Sequence, residues 1–142
     1  MSDDHIASTS HVRFLSTQNV VDLHAATIAR HGGRAGLRDL ALLEAAVAIP
    51  AQTFGGELLH PDLASQAGAY LFHLARSHAF VDGNKRAALG ACLAFLRVNG
   101  ADWRAENGEL MAHTLAVASG ELGKAEVIAW WRQRVVLPRR GT

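Results

Sequence analysis

From Ala87 to Leu96 the chain runs ten residues without a charge, inside the pattern NKRAALGACLAFLRV. Past its first turn this pattern is apolar nearly all round, and a helix of that kind is stable only when neighbours cover every side. At about half the length that crosses a bilayer, it is the centre of a soluble fold and not a membrane span. The rest of the 142 residues must then supply a shell, and a chain of this length forms one domain. Apolar residues make up 49% of the chain but aromatics only 6%, so Ala and Leu dominate and the shell is expected to be helical. The expected fold is all-α: a single bundle of six or so helices around the buried one, with at most a minor short β-pairing.

The shell can be placed from its punctuation. Ser16 or Thr17 caps a helix through NVVDLHAATIAR that stops at Gly32-Gly33. Asp39 opens LALLEAAVAI and Pro50 closes it. AQTFGGELL has no clear period and reads as an ordered surface loop. Pro61 fits the first turn of a helix through DLASQAGAYLFHLARS, with Leu63, Ala67, Tyr70, Leu71 and Leu74 on its apolar face. HAFVDG breaks the chain before the central helix, and Asn99-Gly100 ends that helix. ADWRA reads as a short strand, with HVRFL near the N-terminus as its candidate partner. Helices over 107–119 and 124–136 complete a domain spanning 12–136, between a flexible N-terminus (1–11) and a basic tail (137–142).

Composition removes several functions. The net charge of +1 is far from the basic footprint of a dedicated nucleic-acid binder, so no direct nucleic-acid contact is expected. The single cysteine, Cys92, excludes an intramolecular disulfide and a multi-cysteine zinc site and suits a reducing compartment. MSDDHIASTSHVRF is polar and acidic, unlike a secretory signal, so a cytoplasmic protein without a membrane partner is expected. His73 and His78 are five apart and HExxH is absent, which argues against catalytic zinc. His60 reads as a cap or surface residue. Trp130 and Trp131 cannot share a helix face, so one is expected in the core and one outside.

The chemistry concentrates in His78-Ala79-Phe80-Val81-Asp82-Gly83-Asn84-Lys85-Arg86. Gly83, Asn84 and Lys85 fall at the start of the central helix, where backbone N–H groups lack partners and the dipole is positive, a ready anion site. Lys85, one of only two lysines, and Arg86 put two cations where the helix dipole opposes them unless an anion joins. Arg86 can engage phosphate oxygens bidentately. Asp82 suits Mg²⁺, which takes one or two carboxylates and completes its shell with phosphates and water. The imidazole of His78 can accept a hydroxyl proton near neutral pH, and Phe80 is placed to plug the loop into the core. Taken singly, each has an ordinary explanation as a cap, a turn or a solvated charge. Together they fit phosphoryl or nucleotidyl transfer from a nucleoside triphosphate.

This stretch resembles the Fic/Doc (Fido) signature, H-P-F-x-[D/E]-G-N-[G/K]-R, at His78, Phe80, Asp82, Gly83, Asn84 and Arg86. Lys85 in the slot that is glycine in most Fic adenylyltransferases is similar to the Doc (death-on-curing) branch. So are LHAATIARHGG, GLRDLALLEAAV and LAFLRVNG. The resemblance implies a Fido-type helical fold and use of ATP and Mg²⁺. It implies His78 as general base, Asp82 as magnesium ligand, an anion hole from the Gly83–Lys85 backbone and the Asn84 side chain, and Arg86 on phosphate. Arg76, just ahead of the motif, is a further candidate for phosphate or target. In the Doc branch the lysine goes with a reversed nucleotide, making the protein a kinase. The implied target is a threonine of elongation factor Tu, and the implied partner is a cognate antitoxin in a type II toxin–antitoxin pair.

Some positions depart from the pattern. Ala79 replaces the usual proline, and Gly83 stands where some Doc proteins have alanine. Leu89 occupies the place of a second phosphate-binding arginine found in many Fic adenylyltransferases. The nearest match to the family's self-inhibitory helix, Thr53 to Glu57, continues with Leu58 and does not fit. AMP transfer and a catalytically idle antitoxin-binding module stay open as alternatives to the kinase.

Overall fold

A computed structural model describes residues 12–138, so the expectations for residues 1–11 and for 139–142 lie outside the described residues. Six helices and two minimal antiparallel strand pairs follow in the order α1 (Thr17–His31), α2 (Leu40–Ala48), a 3₁₀ turn (Ile49–Ala51), β1 (Thr53–Phe54), β2 (Glu57–Leu58), α3 (Leu63–Ser77), α4 (Asn84–Val98), β3 (Asp102–Trp103), α5 (Asn107–Ala118), α6 (Lys124–Arg132) and β4 (Val135–Val136). The chain is thus the mostly-α bundle that its apolar pattern demands, and no described helix is long and apolar enough to cross a membrane.

Local chemistry sets the helix starts. Ser16 and Asn19 cap α1 reciprocally, each side chain accepting from the other's N–H at 3.0 and 2.9 Å. Asp39 caps α2 through Leu42 N–H. Asp62, not Pro61, stands at the start of α3, its carboxylate accepting from Ser65 N–H at 2.7 Å. Pro61 therefore precedes the cap and lies two residues ahead of the helical turn it was expected to occupy.

The most enclosed helix is α3 rather than α4. Ten of its fifteen residues are buried, against six in α4 (Ala87, Ala88, Ala91, Cys92, Phe95 and Leu96). The reason is size: Ala64, Ala67, Gly68, Ala69 and Ala75 let neighbouring backbones come close. At Gly68 an added Cβ would lie 3.2 Å from Ile128 Cγ1 and 3.3 Å from Ile128 Cα, so α6 rests directly on the α3 backbone. Tyr70 and Phe95 meet between α3 and α4 with ring centroids 5.0 Å apart. The Tyr70 hydroxyl accepts from Leu15 N–H at 2.8 Å.

Both β-pairings correct the sequence reading. AQTFGGELL, expected as an ordered surface loop without strands, is a hairpin: Thr53 pairs with Leu58 and Phe54 with Glu57. Gly55 and Gly56 carry the positive φ values, 60° and 84°, that a two-residue hairpin connection uses. β3 pairs not with HVRFL but with β4, Asp102 opposite Val136 and Trp103 opposite Val135. Consequently α6 ends at Arg132, short of the expected Val136, because the β-branched pair Val135-Val136 is drawn onto β3. The segment around Arg13 is held instead by the side chain of Asn99, which bonds both its N–H and its carbonyl, at 2.8 and 3.0 Å. At the same end of α4, Gly100 would bring a Cβ to 3.6 Å from Pro138.

Trp131 is fully buried, whereas Trp130 is half-buried between the His113 ring (3.8 Å, 12°) and the Arg134 guanidinium (3.9 Å). His60 is neither cap nor surface residue but buried, its carbonyl accepting from the Gln66 amide at 2.8 Å. Burial pulls the imidazoles of His73 and His113 down to about 4, helped at His73 by Lys124, His60 and Arg76 and at His113 by Arg134.

Two outcomes are expected. Gly68→Val forces α6 off α3 and lowers stability by about 1–3 kcal/mol, read as a fall in the urea midpoint at unchanged slope. The depressed histidines bind protons in the unfolded chain before the folded one. Stability is therefore full above about pH 6.5 and falls as the pH drops towards about 4. A urea midpoint that stays level across that window contradicts the assignment.

Candidate active site

The segment from His78 to Gly83 connects the two best-packed helices and has to reverse direction within six residues. It does so through His78, whose φ of 53° and ψ of 38° make it the one non-glycine residue with positive φ among the described residues. Left-handed backbone is tolerated by His better than by branched residues but still needs support. Arg38 gives that support: its Nε–H donates to the His78 carbonyl at 2.9 Å, and Nη2 donates to the same oxygen.

The connection between α1 and α2 lies alongside as a template. Arg38 and Asp39 N–H both donate to the Ala79 carbonyl, at 2.8 and 3.0 Å, and Val81 N–H donates to Gly36 O at 3.0 Å. Leu37 and Phe80 form an isolated antiparallel bridge. Phe80 itself is buried and plugs the loop into the core, while Ala79 is fully enclosed.

Asn84 closes the loop from the other side. Its Oδ1 accepts from Phe80 N–H at 2.9 Å and its Nδ2 donates to Phe80 O at 3.0 Å. The side chain expected in an anion hole is thereby committed to the loop backbone, and the helix start offers N–H groups instead. Gly83, at φ 74°, precedes α4 without a side-chain cap. The first rung of the ladder is Ala87 N–H to Gly83 O, which leaves the N–H groups of Asn84, Lys85 and Arg86 ahead of it.

The Asp82 carboxylate is exposed and fixed by two backbone donors, Gly83 N–H on Oδ1 at 2.9 Å and Arg34 N–H on Oδ2 at 3.0 Å. Those bonds, from Arg34 first and then Gly83, hold its pKa below the usual carboxylate range, aided by the charges of Arg34 and His24. The group is thus ionised at neutral pH, with lone pairs left over on both oxygens. One carboxylate suits a Mg²⁺ that takes its other ligands from phosphate and water. Among the described residues no cluster of three His, Cys, Asp or Glu side chains could cage a metal alone.

These groups face one cleft. His78, Val81 and the stretch 82–85 line one wall and Leu115 and Ala118 of α5, with Ser119 just after it, the other, around a volume of about 300 Å³. A neighbouring hollow of about 380 Å³ shares Asp82–Lys85 and Leu115 and adds Arg86 and Met111. Lys85 and Arg86 are exposed there, and neither belongs to an ion pair among the described residues. Arg76 stands apart: its guanidinium lies 4.9 Å over the Phe72 ring, beside a shallow groove with Leu42, Ile49 and His73.

Reading residues along the motif missed four contributors that come from elsewhere in the chain. The Gly33-Arg34 pair packs at Asp82 and fixes it through the Arg34 N–H, Arg38 holds His78, His24 bonds Asp82 O at 2.7 Å, and α5 supplies the far wall. Of these only His24 left a signal, four residues after Val20 on the buried face of α1.

A helical bundle that presents an imidazole, a fixed carboxylate and an uncapped helix start in one cleft has the design of a transferase. The comparisons place it more closely. The Fic/DOC family model matches residues 14–96, more than half of the chain, and the chain belongs to that family, on its Doc side. It is 42% identical over 95 residues to Toxin Doc of Mycolicibacterium smegmatis, covering 64% of this chain and 73% of that protein. It is also 36% identical over 117 residues to Protein kinase doc of Escherichia phage P1, covering 82% of this chain and 90% of that one.

The carboxylate's position can be tested from its neighbour. A Cβ at Gly33, where φ is 112°, would fall 2.9 Å from Asp82 Oδ2. Gly33→Ala is therefore expected to displace the carboxylate and weaken magnesium-dependent nucleotide binding about tenfold or more, measured by calorimetry with Mg²⁺ and a non-hydrolysable ATP analogue. Unchanged affinity would separate Asp82 from the metal.

Proposed function

We propose that this protein is a Doc-type toxin: a cytoplasmic protein kinase that transfers the γ-phosphate of ATP to a Ser/Thr hydroxyl of a translation protein, elongation factor Tu or a protein like it. A cognate antitoxin restrains it in a type II pair. The observation that carries this reading is the convergence of His78, Asp82 and the α4 start on one cleft. Kinship to a protein named Protein kinase doc favours phosphate over nucleotide as the transferred group. So does Lys85, whose bulk and charge occupy the place where α- and β-phosphates nest on a glycine. Leu89, half-buried and apolar, adds no phosphate ligand.

In this mechanism the N–H groups of Asn84–Arg86, with the Lys85 and Arg86 side chains, hold the triphosphate oxygens. Asp82, ionised, would hold magnesium, which would supply positive charge against the phosphates. The target hydroxyl lies against His78. Its oxygen bonds the γ-phosphorus, its proton passes to the imidazole, and the bridging P–O bond breaks so that ADP leaves with the electron pair. The Arg38 bonds to the His78 carbonyl keep the imidazole from drifting with the loop.

ATP labelled separately at the α- and γ-positions decides the transferred group. Only the γ-label is expected on the target, with a mass gain of about 80 Da; an α-label and about 329 Da would make it an adenylyltransferase. His78→Ala is expected to cut transfer at least about a hundredfold and to relieve growth arrest when expressed without antitoxin. No label from either position, with arrest unrelieved by His78→Ala, would mean a binding module without catalysis.

A further inference from the structure

His24 lies outside the signature, 58 residues of chain and two helices away from the Asp82 it touches. It is one of only two residues of α1 that are buried, and its ring lies parallel to that of Phe80, 3.8 Å between centroids and 6° between planes. From that stack Nε2 reaches the carbonyl oxygen of Asp82 at 2.7 Å. Since a carbonyl only accepts, Nε2 carries the proton and donates.

The oxygen it holds belongs to the same peptide unit as the Gly83 N–H, which donates to Asp82 Oδ1 at 2.9 Å. In a trans peptide the C=O and N–H point in opposite directions. Holding the carbonyl against α1 therefore keeps the N–H turned to the carboxylate and the cleft. The following residue is a glycine at φ 74°, which can accept a rotated peptide at little cost. Rotation would turn a carbonyl dipole towards the anion site and release Asp82. At Gly83 a Cβ would stand 3.5 Å from His24 Nε2 and 3.1 Å from Ile28 Cδ1, so the glycine that lets α1 come this close is also the one that leaves the peptide free to turn.

We infer that His24 is a positioning residue for the phosphate site: it locks the Asp82–Gly83 peptide with its N–H towards the cleft, and thereby sets the metal carboxylate and the mouth of the anion cradle. This rests on the ATP-dependent transfer proposed above and predicts that His24 governs nucleotide binding more than the proton transfer at His78.

The test compares His24→Gln with His24→Met, side chains of similar length of which only glutamine can donate, in the full chain. His24→Met is expected to raise KM for Mg·ATP about tenfold or more with a smaller fall in kcat, and His24→Gln to recover most of that loss. In parallel, amide hydrogen exchange read by NMR without nucleotide should show the Gly83 N–H exchanging about tenfold faster in His24→Met. The amides of Leu71 and Phe95 should be unmoved. Equal KM for the two variants, a loss confined to kcat, or Gly83 exchange equal to wild type overturns the inference. If His24→Met does not fold, His24→Phe keeps the stack on Phe80 without the donor and is read the same way. Should the wild type transfer nothing from ATP, the functional reading fails, and the Gly83 exchange alone still decides whether His24 locks the peptide.

Discussion

The whole arrangement depends on satisfying the backbone of one short reversal. Between Ser77 and Asn84 the chain leaves one packed helix and enters another, and its peptide groups can be neither helical nor left bare against the core. Arg38 takes the carbonyl of His78, the template strand takes Ala79 and Val81, Asn84 takes both groups of Phe80, and His24 takes Asp82. Most of the loop's carbonyls, and the N–H groups of Phe80 and Val81, are bonded to groups outside it. The geometry of the cleft is the by-product: once those bonds are made, the imidazole, the carboxylate and the open end of α4 have fixed places.

This explains which parts of the site could be read along the chain and which could not. His78, Asp82, Lys85 and Arg86 advertise themselves because unusual charges gather at a helix start. The helices were equally legible, since caps such as Ser16 and Asp39 and stops such as Gly32 act locally. The supports were less so: Arg38 is an ordinary residue of the α1–α2 connection and His24 only one more member of the buried face of α1 until tertiary contact brings them to the loop. Asn84 illustrates the limit in another way. Its place at the helix start suggests a ligand-binding amide, yet an amide with both ends free is also the best available clamp for an unpaired N–H and C=O, and here the backbone claims it.

The other departures have the same origin. A run of apolar residues identified α4 as central, but enclosure follows how near neighbours can approach, and small residues make α3 the more deeply set helix. A two-residue pairing such as β3 with β4 leaves no period long enough to detect, and its partner was chosen by where α6 deposits Val135 and Val136. By contrast, the division of Trp130 and Trp131 between outside and core needed only the geometry of adjacent helical positions.

The ties at the C-terminal end of α4 carry a consequence of their own. Arg13 is held there by Asn99, and Pro138 comes to rest beside Gly100, so both limits of the described chain meet at one pole of the bundle. The loop from His78 to Gly83 sits at the opposite pole, about 20 Å away along a fifteen-residue helix. A short linker could join these two limits, opening the chain at the β1–β2 turn without touching the cleft. The same geometry lets the molecule be tethered to a bead or sensor chip through Val12 or Pro138 with the cleft facing the solution.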